Sequence, residues 1–254
     1  MADTGVLATE RPDPTTLVLR IQREHQRNAI DHDITVAMEA AIDELEQDSG
    51  LRAGIITGTA RVFSAGTDIN DPRHKQTARG GEYGVIRRRR TKPLIAAVEG
   101  LALGGGFEIV LACELVVAAT DAAFGLPEGR IGLIASSGGL FRGPRALPRA
   151  VAAELLLTGA RLDAQRAYAL GLVNRLAPPG TAVDMALDLA RELAHSSPAS
   201  VTATLDVLAA LDAPAEEIGW SATAAARTRV MAGEDAAEGT RAFNEKRAPR
   251  WTGR

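Results

Sequence analysis

The run Leu94-Ile95-Ala96-Ala97-Val98, followed closely by Leu103-Gly104-Gly105-Gly106-Phe107-Glu108, decides how the rest of the chain is read. Five apolar residues suit a buried strand, the three glycines suit a tight turn, and residues 107–113 read as a buried helix. Strand, glycine turn and helix in succession are the working unit of an α/β protein. Glycine lets a backbone approach a ligand closely, and a carboxylate such as Glu108 beside the turn is a candidate acid or base. A dinucleotide-binding fingerprint needs glycine or alanine three positions after Gly106, where this chain has Ile109, so nucleotide binding fails on spacing. A packing turn and an anion-binding helix N-terminus both remain open.

About twenty residues on, Phe124-Gly125-Leu126-Pro127-Glu128 repeats the pairing of glycine with a carboxylate. Taken alone, Glu108 is an ordinary first-turn acid stabilised by the helix dipole, and Glu128 an ordinary loop acid. Together they gain weight, because both follow glycine turns at the ends of apolar segments, where α/β folds place ligands. A third glycine turn, Phe63-Ser64-Ala65-Gly66-Thr67-Asp68-Ile69, also follows a strand-like run, Gly54-Ile55-Ile56-Thr57.

Around these segments the pattern alternates. Leu17-Val18-Leu19-Arg20-Ile21 and Leu115-Val116-Val117-Ala118 read as strands, and Ile34, Ala37, Met38, Ala41, Ile42 and Leu45 line one helix face. The polar region 61–84 is long enough to be a functional loop or a mobile helical segment. Beyond Pro144 the chain turns Ala- and Leu-rich, with helices expected over 150–157, 163–170 (N-cap Asp163, stop Gly171) and 181–195. After Pro198 three more are expected, over 201–211, 216–231 and 235–246. The reading is an α/β core over 1–197 and a helical region over 198–254.

With 254 residues, a formal net charge of −3 and one cysteine, Cys113, the chain is expected to be a soluble cytoplasmic protein without disulfides or a nucleic-acid-binding surface. No apolar run reaches membrane-spanning length, and residues 1–11 carry neither a signal-peptide core nor a transit-peptide bias. The run Arg87-Arg88-Arg89-Arg90 is expected to be mostly solvated. His25, His32, His74 and His195 lack ligand spacing, so no metal is expected. Ser137 within Ile134-Ala135-Ser136-Ser137-Gly138-Gly139 lacks the first glycine and leading strand of a nucleophile elbow, which argues against serine hydrolysis.

The glycine-turn motifs, with Lys92-Pro93-Leu94-Ile95-Ala96-Ala97-Val98-Glu99-Gly100 between them, resemble in order and spacing the crotonase, or enoyl-CoA hydratase and isomerase, superfamily. Leu157-Thr158-Gly159, Ala169-Leu170-Gly171-Leu172-Val173 and Phe243-Asn244-Glu245-Lys246-Arg247 extend the resemblance over nearly the whole chain. It implies a spiral of ββα repeats with a C-terminal helical trimerisation region, as a trimer or dimer of trimers. It also implies an oxyanion hole from the backbone N–H groups of Thr67 and Gly105, and two water-handling glutamates, Glu108 at C3 and Glu128 at C2. Ala65, Gly66, Asp68, Ile69 and Gly104 would border the substrate, and Arg23, Arg27 and Lys246 would meet CoA, a substrate rather than a cofactor.

Two departures from the family pattern, Thr67 where alanine is frequent and the 134–139 loop, bear on acyl size and shape. The activity implied is hydration of a 2-enoyl-CoA. Enoyl-CoA isomerisation and another acyl-CoA dehydration are the alternatives, and a noncatalytic RNA-binding member, suggested only by the arginine run, is a remote one.

Overall fold

In the computed structural model, which describes residues 5–254, the chain forms two large sheets, a two-stranded one and eight α-helices among the described residues. Residues 1–4, the start of the segment inspected above for a leader, lie outside them. The order is β1 (Leu7–Asp13), β2 (Thr16–Ile21), α1 (His32–Gln47), β3 (Ala53–Thr57), β4 (Val62–Ser64), the two-residue strands β5 (Gln76–Thr77) and β6 (Gly81–Glu82), β7 (Leu94–Val98), β8 (Leu101–Leu103), α2 (Gly105–Val110), β9 (Leu115–Ala119) and β10 (Ala123–Gly125). There follow α3 (Gly139–Ala146), α4 (Arg149–Thr158), β11 (Arg161–Asp163), α5 (Ala164–Ala169), β12 (Arg175–Ala177), α6 (Ala182–Ala194), α7 (Pro198–Met231) and α8 (Glu234–Asn244).

The larger sheet runs β1-β2-β3-β7-β9-β12 and the smaller β11-β10-β8-β4. Each of the pairs β3–β4, β7–β8 and β9–β10 gives its first strand to the large sheet and its second to the small one, so the chain winds as a spiral. All pairings are parallel in the β2-β3-β7-β9-β12 run and in the β10-β8-β4 run. Strands β3 and β7 are buried along their whole length, which explains their unbroken apolar sequences. Period-two alternation divides them between two cores: Ile55, Ile95 and Val117 pack under Ala186 and Ala190 of α6, while Ile56, Ala96 and Val116 face the main core with Ile42 of α1 and Phe107 of α2.

Asp31 caps α1, accepting the Ile34 N–H at 2.9 Å, and Asp163 caps α5 through the Arg166 N–H at 2.7 Å. Two expectations need correction. Residues 61–84 are not a helical segment: a largely irregular stretch carries a small β5–β6 hairpin pinned to α1 by Glu39, which accepts the N–H groups of Arg79 and Gly80 at 2.9 Å each. The helices expected over 201–211 and 216–231 are one helix, α7, running through Pro214. Ion pairs from α3 hold both sides of the proline: Arg145 meets Asp212 and Glu216, and Arg142 meets Glu216 at 2.8 Å. No helix is long and apolar enough to cross a membrane among the described residues.

Gly106 fixes how close α2 comes to β4, because a Cβ there would lie 2.6 Å from the Ser64 carbonyl oxygen and 2.8 Å from its Cβ. Gly106→Ala is expected to destabilise the fold by about 1–3 kcal/mol, the usual cost of overpacking a tight core. A urea titration monitored by circular dichroism reads this as a lower midpoint at unchanged slope.

Candidate active site

Three neighbouring parallel strands of the small sheet end side by side, and each hands the chain to one part of the site. Strand β4 leads into Ala65, Gly66 and Thr67; β8 leads through Gly104 into α2 with Glu108; β10 leads through Leu126 and Pro127 to Glu128. Gly125 pairs with Leu103 in register, and Gly104 N–H donates to the Gly125 carbonyl at 2.9 Å, so the turns after β8 and β10 are fixed relative to each other. The edge strand β4 is tied down by buried Asn28, whose amide donates to the carbonyls of Val62 and Phe63 at 2.8 and 3.2 Å. Ser64 Oγ in turn accepts the Gly66 N–H at 3.1 Å.

Gly66 has φ +101°, and a Cβ there would lie 2.9 Å from the Leu103 carbonyl oxygen and 3.1 Å from the Gly105 nitrogen. Only glycine allows the β4 turn to lie this close against the β8 turn. The contact brings the Thr67 and Gly105 backbones together. Gly105 is the first residue of α2, whose N–H has no intrahelical acceptor, and among the described residues no acceptor takes the Thr67 N–H either. Two unpaired donors on adjoining turns, one of them at a cavity wall, could hold an oxyanion.

Glu108 is 2% exposed, and its Oε1 accepts the N–H groups of Ser137 at 2.7 Å and Gly139 at 2.9 Å. Burial raises its pKa above the ordinary glutamate range, while those two bonds hold the rise back and the Glu82 charge adds to it. Glu128 is also raised, first by burial and then by the charge of Glu108. Its Oε2 is shut off from solvent and has no partner, so the neutral acid suits it. Both acids therefore keep a proton to higher pH than a free glutamate does, and at Glu128 the neighbouring charge of Glu108 adds to the effect of burial. Two carboxyl groups held this way beside one cavity are suited to proton transfer.

Both glutamates line a cavity of about 660 Å³. Thr67, Ile69, Tyr83, Ser137 and Trp220 are among its other walls, and further residues of α7, including Thr223 and Met231, also line it. Of the remaining candidate residues, Arg23 is held between Asp68 at 2.7 Å and Asp31 at 3.4 Å, so the Asp68 expected to border the substrate is the partner of the Arg23 expected to meet CoA. Arg27 and Lys246 are exposed with φ near +50°, and the Arg27 carbonyl accepts the Ala65 N–H at 2.9 Å. Neither lines the cavity.

The arginine run differs from its expected solvated state. Its backbone is not helical, so successive side chains reach separate acids: Arg87 pairs with Glu82, Arg88 with Asp43, Arg89 with Asp206 and Arg90 with Glu114. Charges answered in this way leave little field for a phosphate backbone. The residues missed by sequence reasoning are Tyr83, Glu82 and Asn28, together with the backbone N–H groups of Ser137 and Gly139. Only the cluster Gly80-Gly81-Glu82-Tyr83-Gly84 offered a signal, glycines packed around an acid and an aromatic residue.

The spiral of paired strands fits the fold that the sequence resemblance implies. The chain belongs to the enoyl-CoA hydratase/isomerase family, which it matches over residues 13–254. A carnitinyl-CoA dehydratase of Salmonella typhi is 38% identical over 238 residues, covering 89% of this chain and 91% of that protein. Among solved structures, a carnitinyl-CoA hydratase from Mycobacterium avium superposes with a TM-score of 0.93 at 39% identity, over 98% of this chain and 99% of that one. An enoyl-CoA hydratase from Mycobacterium tuberculosis gives 0.77 at 41% identity, over 98% and 99%.

The raised Glu128 pKa has a consequence for stability. An acid whose folded-state pKa lies above its unfolded value of 4.5 stabilises the fold while protonated, and that contribution is lost as the pH rises through the raised value. Glu128→Gln cannot ionise and escapes the loss. The melting temperature of the variant relative to the native chain is expected to climb from pH 5 to pH 9, and a difference that stays flat over that range would contradict the assigned ionisation.

Proposed function

We propose that this protein catalyses the reversible addition of water to the 2,3 double bond of a 2-enoyl-CoA, and equally the dehydration of the matching 3-hydroxyacyl-CoA. The observation that carries the reading is the placement of two buried glutamates with raised pKa, Glu108 and Glu128, on one cavity with Thr67, next to the turn that holds the unpaired Gly105 N–H. The thioester oxygen accepts from those two N–H groups. Glu108 removes a proton from water as its oxygen bonds to C3, the π electrons move onto the thioester, and Glu128 delivers its proton to C2. Return of the proton from Glu108 to Glu128 resets the pair, and dehydration is the same path reversed.

The pocket walls bear on the acyl group. A trimethylammonium group, as in a carnitinyl chain, is best received by an open aromatic face or an unpaired acid. Here the Trp220 ring is covered by the Arg87 guanidinium at 3.7 Å and met edge-on by Phe141 at 4.9 Å, while Glu82 is neutralised by Arg87 at 2.8 Å. We therefore assign an uncharged acyl chain. For the CoA moiety, Arg27 and Lys246 are exposed and no acid pairs with either among the described residues, whereas Arg23 is neutralised. Residues 198–254 are assigned to assembly into a trimer or a dimer of trimers, supported by the outward Val207, Leu208, Leu211 and Ile218 on α7.

Glu108→Gln and Glu128→Gln are each expected to lower hydration turnover on the order of 10²–10⁴-fold, the range of a lost general acid or base, with binding of a saturated acyl-CoA retained. Steady-state kinetics with crotonyl-CoA and calorimetric titration with butyryl-CoA separate the two effects. Near-native turnover in either variant would remove its glutamate from the mechanism. In a side-by-side assay, crotonyl-CoA is expected to have a higher kcat/KM than crotonobetainyl-CoA; the reverse order would overturn the uncharged-chain assignment.

A further inference from the structure

The Tyr83 side chain is 5% exposed, yet its hydroxyl stands at the cavity beside both proposed oxyanion donors. A Cβ placed on Gly105 would lie 2.5 Å from Tyr83 Oη, so the phenol rests directly against the α-carbon of the residue whose N–H is one donor. Tyr83 Oη is also 2.7 Å from Oγ1 of Thr67, whose N–H is the other. On its third side it accepts from Ser137 Oγ at 3.2 Å, and Ser137 donates its backbone N–H to Glu108.

The backbone holding this ring is itself unusual. Tyr83 has φ +56°, a left-handed conformation rare for an aromatic residue. It is maintained by the Tyr83 N–H donating to the Lys75 carbonyl at 2.8 Å, and by Gly84, where a Cβ would lie 2.2 Å from the Thr35 carbonyl oxygen on α1. Strained residues of this kind gather where a side chain must be held in one place.

Hydrogen counting then points to a ligand. Three hydroxyls, on Thr67, Tyr83 and Ser137, carry three hydrogens, and their two mutual contacts use two of them. Ser137 Oγ also meets the Glu108 carboxylate; where it donates to Tyr83 instead, one hydrogen of the Thr67–Tyr83 pair is left for a further acceptor. A phenol that accepts bonds from its neighbours is a stronger donor in turn. Burial and the charge of Glu108 push the Tyr83 ionisation well above that of a free phenol, so the hydrogen stays on the oxygen.

We propose that the Tyr83 hydroxyl is a third hydrogen-bond donor to the thioester oxygen, joining the N–H groups of Thr67 and Gly105. The inference rests on the reading of those two N–H groups as the oxyanion site. It makes Tyr83 a catalytic residue that contacts the reacting thioester, distinct from the two proton-handling glutamates. It also gives the Thr67 hydroxyl a purpose, since its contact with Tyr83 sets where the phenol points.

Tyr83→Phe keeps the ring against Gly105 and removes only the hydroxyl. The probes are butyryl-CoA, which has the carbonyl, and S-butyl-CoA, a thioether without it. The variant is expected to bind butyryl-CoA roughly 5- to 20-fold more weakly and S-butyl-CoA within about twofold of native, and to hydrate crotonyl-CoA with kcat lowered about 10- to 100-fold, less than the ~10²–10³ lost with a principal oxyanion donor. In infrared difference spectra with carbonyl-labelled butyryl-CoA, the low-frequency shift of the bound thioester band is expected to shrink in the variant. Equal weakening of both probes, or an unchanged band, overturns the role of Tyr83. If the native protein itself does not shift the band, the oxyanion reading of Thr67 and Gly105 falls and the proposal falls with it; the native spectrum thus separates the two failures.

Discussion

The Oε1 atom of Glu108 accepts the backbone N–H groups of Ser137 and Gly139 at 2.7 and 2.9 Å inside a site that leaves the residue 2% exposed. This pair of bonds ties α2 to the start of α3 and favours the charged form of a buried acid against the effect of burial. Burial alone would drive both glutamates toward the neutral state. The two N–H groups oppose that shift at Glu108, whereas at Glu128 the charge of Glu108 adds to it. The difference between two chemically identical side chains is thus set by their surroundings.

The small sheet makes that arrangement possible. Because β4, β8 and β10 are parallel and adjacent, their carboxyl ends fall together, and three turns from distant parts of the sequence meet at one cavity. The large sheet serves as the base of the spiral, with its apolar strands buried between α6 and the main core. The terminal helices then close the far wall, bringing Trp220 and Thr223 into a site whose chemistry comes from the first half of the chain.

Much of this was legible in the amino-acid order. The unbroken apolar runs of β3, β7 and β9 and the glycines after β4 and β8 are local signals, since a strand buried on both faces needs apolar residues throughout and a tight turn needs glycine. The two glutamates could be singled out because each sits within a few residues of such a turn. Tyr83 could not. Its position depends on a hairpin pinned by Glu39, forty positions away, and on Gly84 meeting the Thr35 carbonyl. The arginine run misled for a related reason: its charges are answered by Asp43, Glu114 and Asp206, residues brought near only by folding.

The sequence by itself determined the strand and helix order, the turns that bear the backbone donors and the membership of the family, because these follow from local periodicity and from residue types at fixed short spacings. Only the tertiary structure decided that both glutamates are buried with raised pKa, that Tyr83 stands beside Thr67 and Gly105, that Pro214 lies within a continuous helix and that Trp220 is already covered. Each of these is a balance of burial, charge and hydrogen bonding among residues far apart in the chain, and such a balance has no value until the distances between them are set.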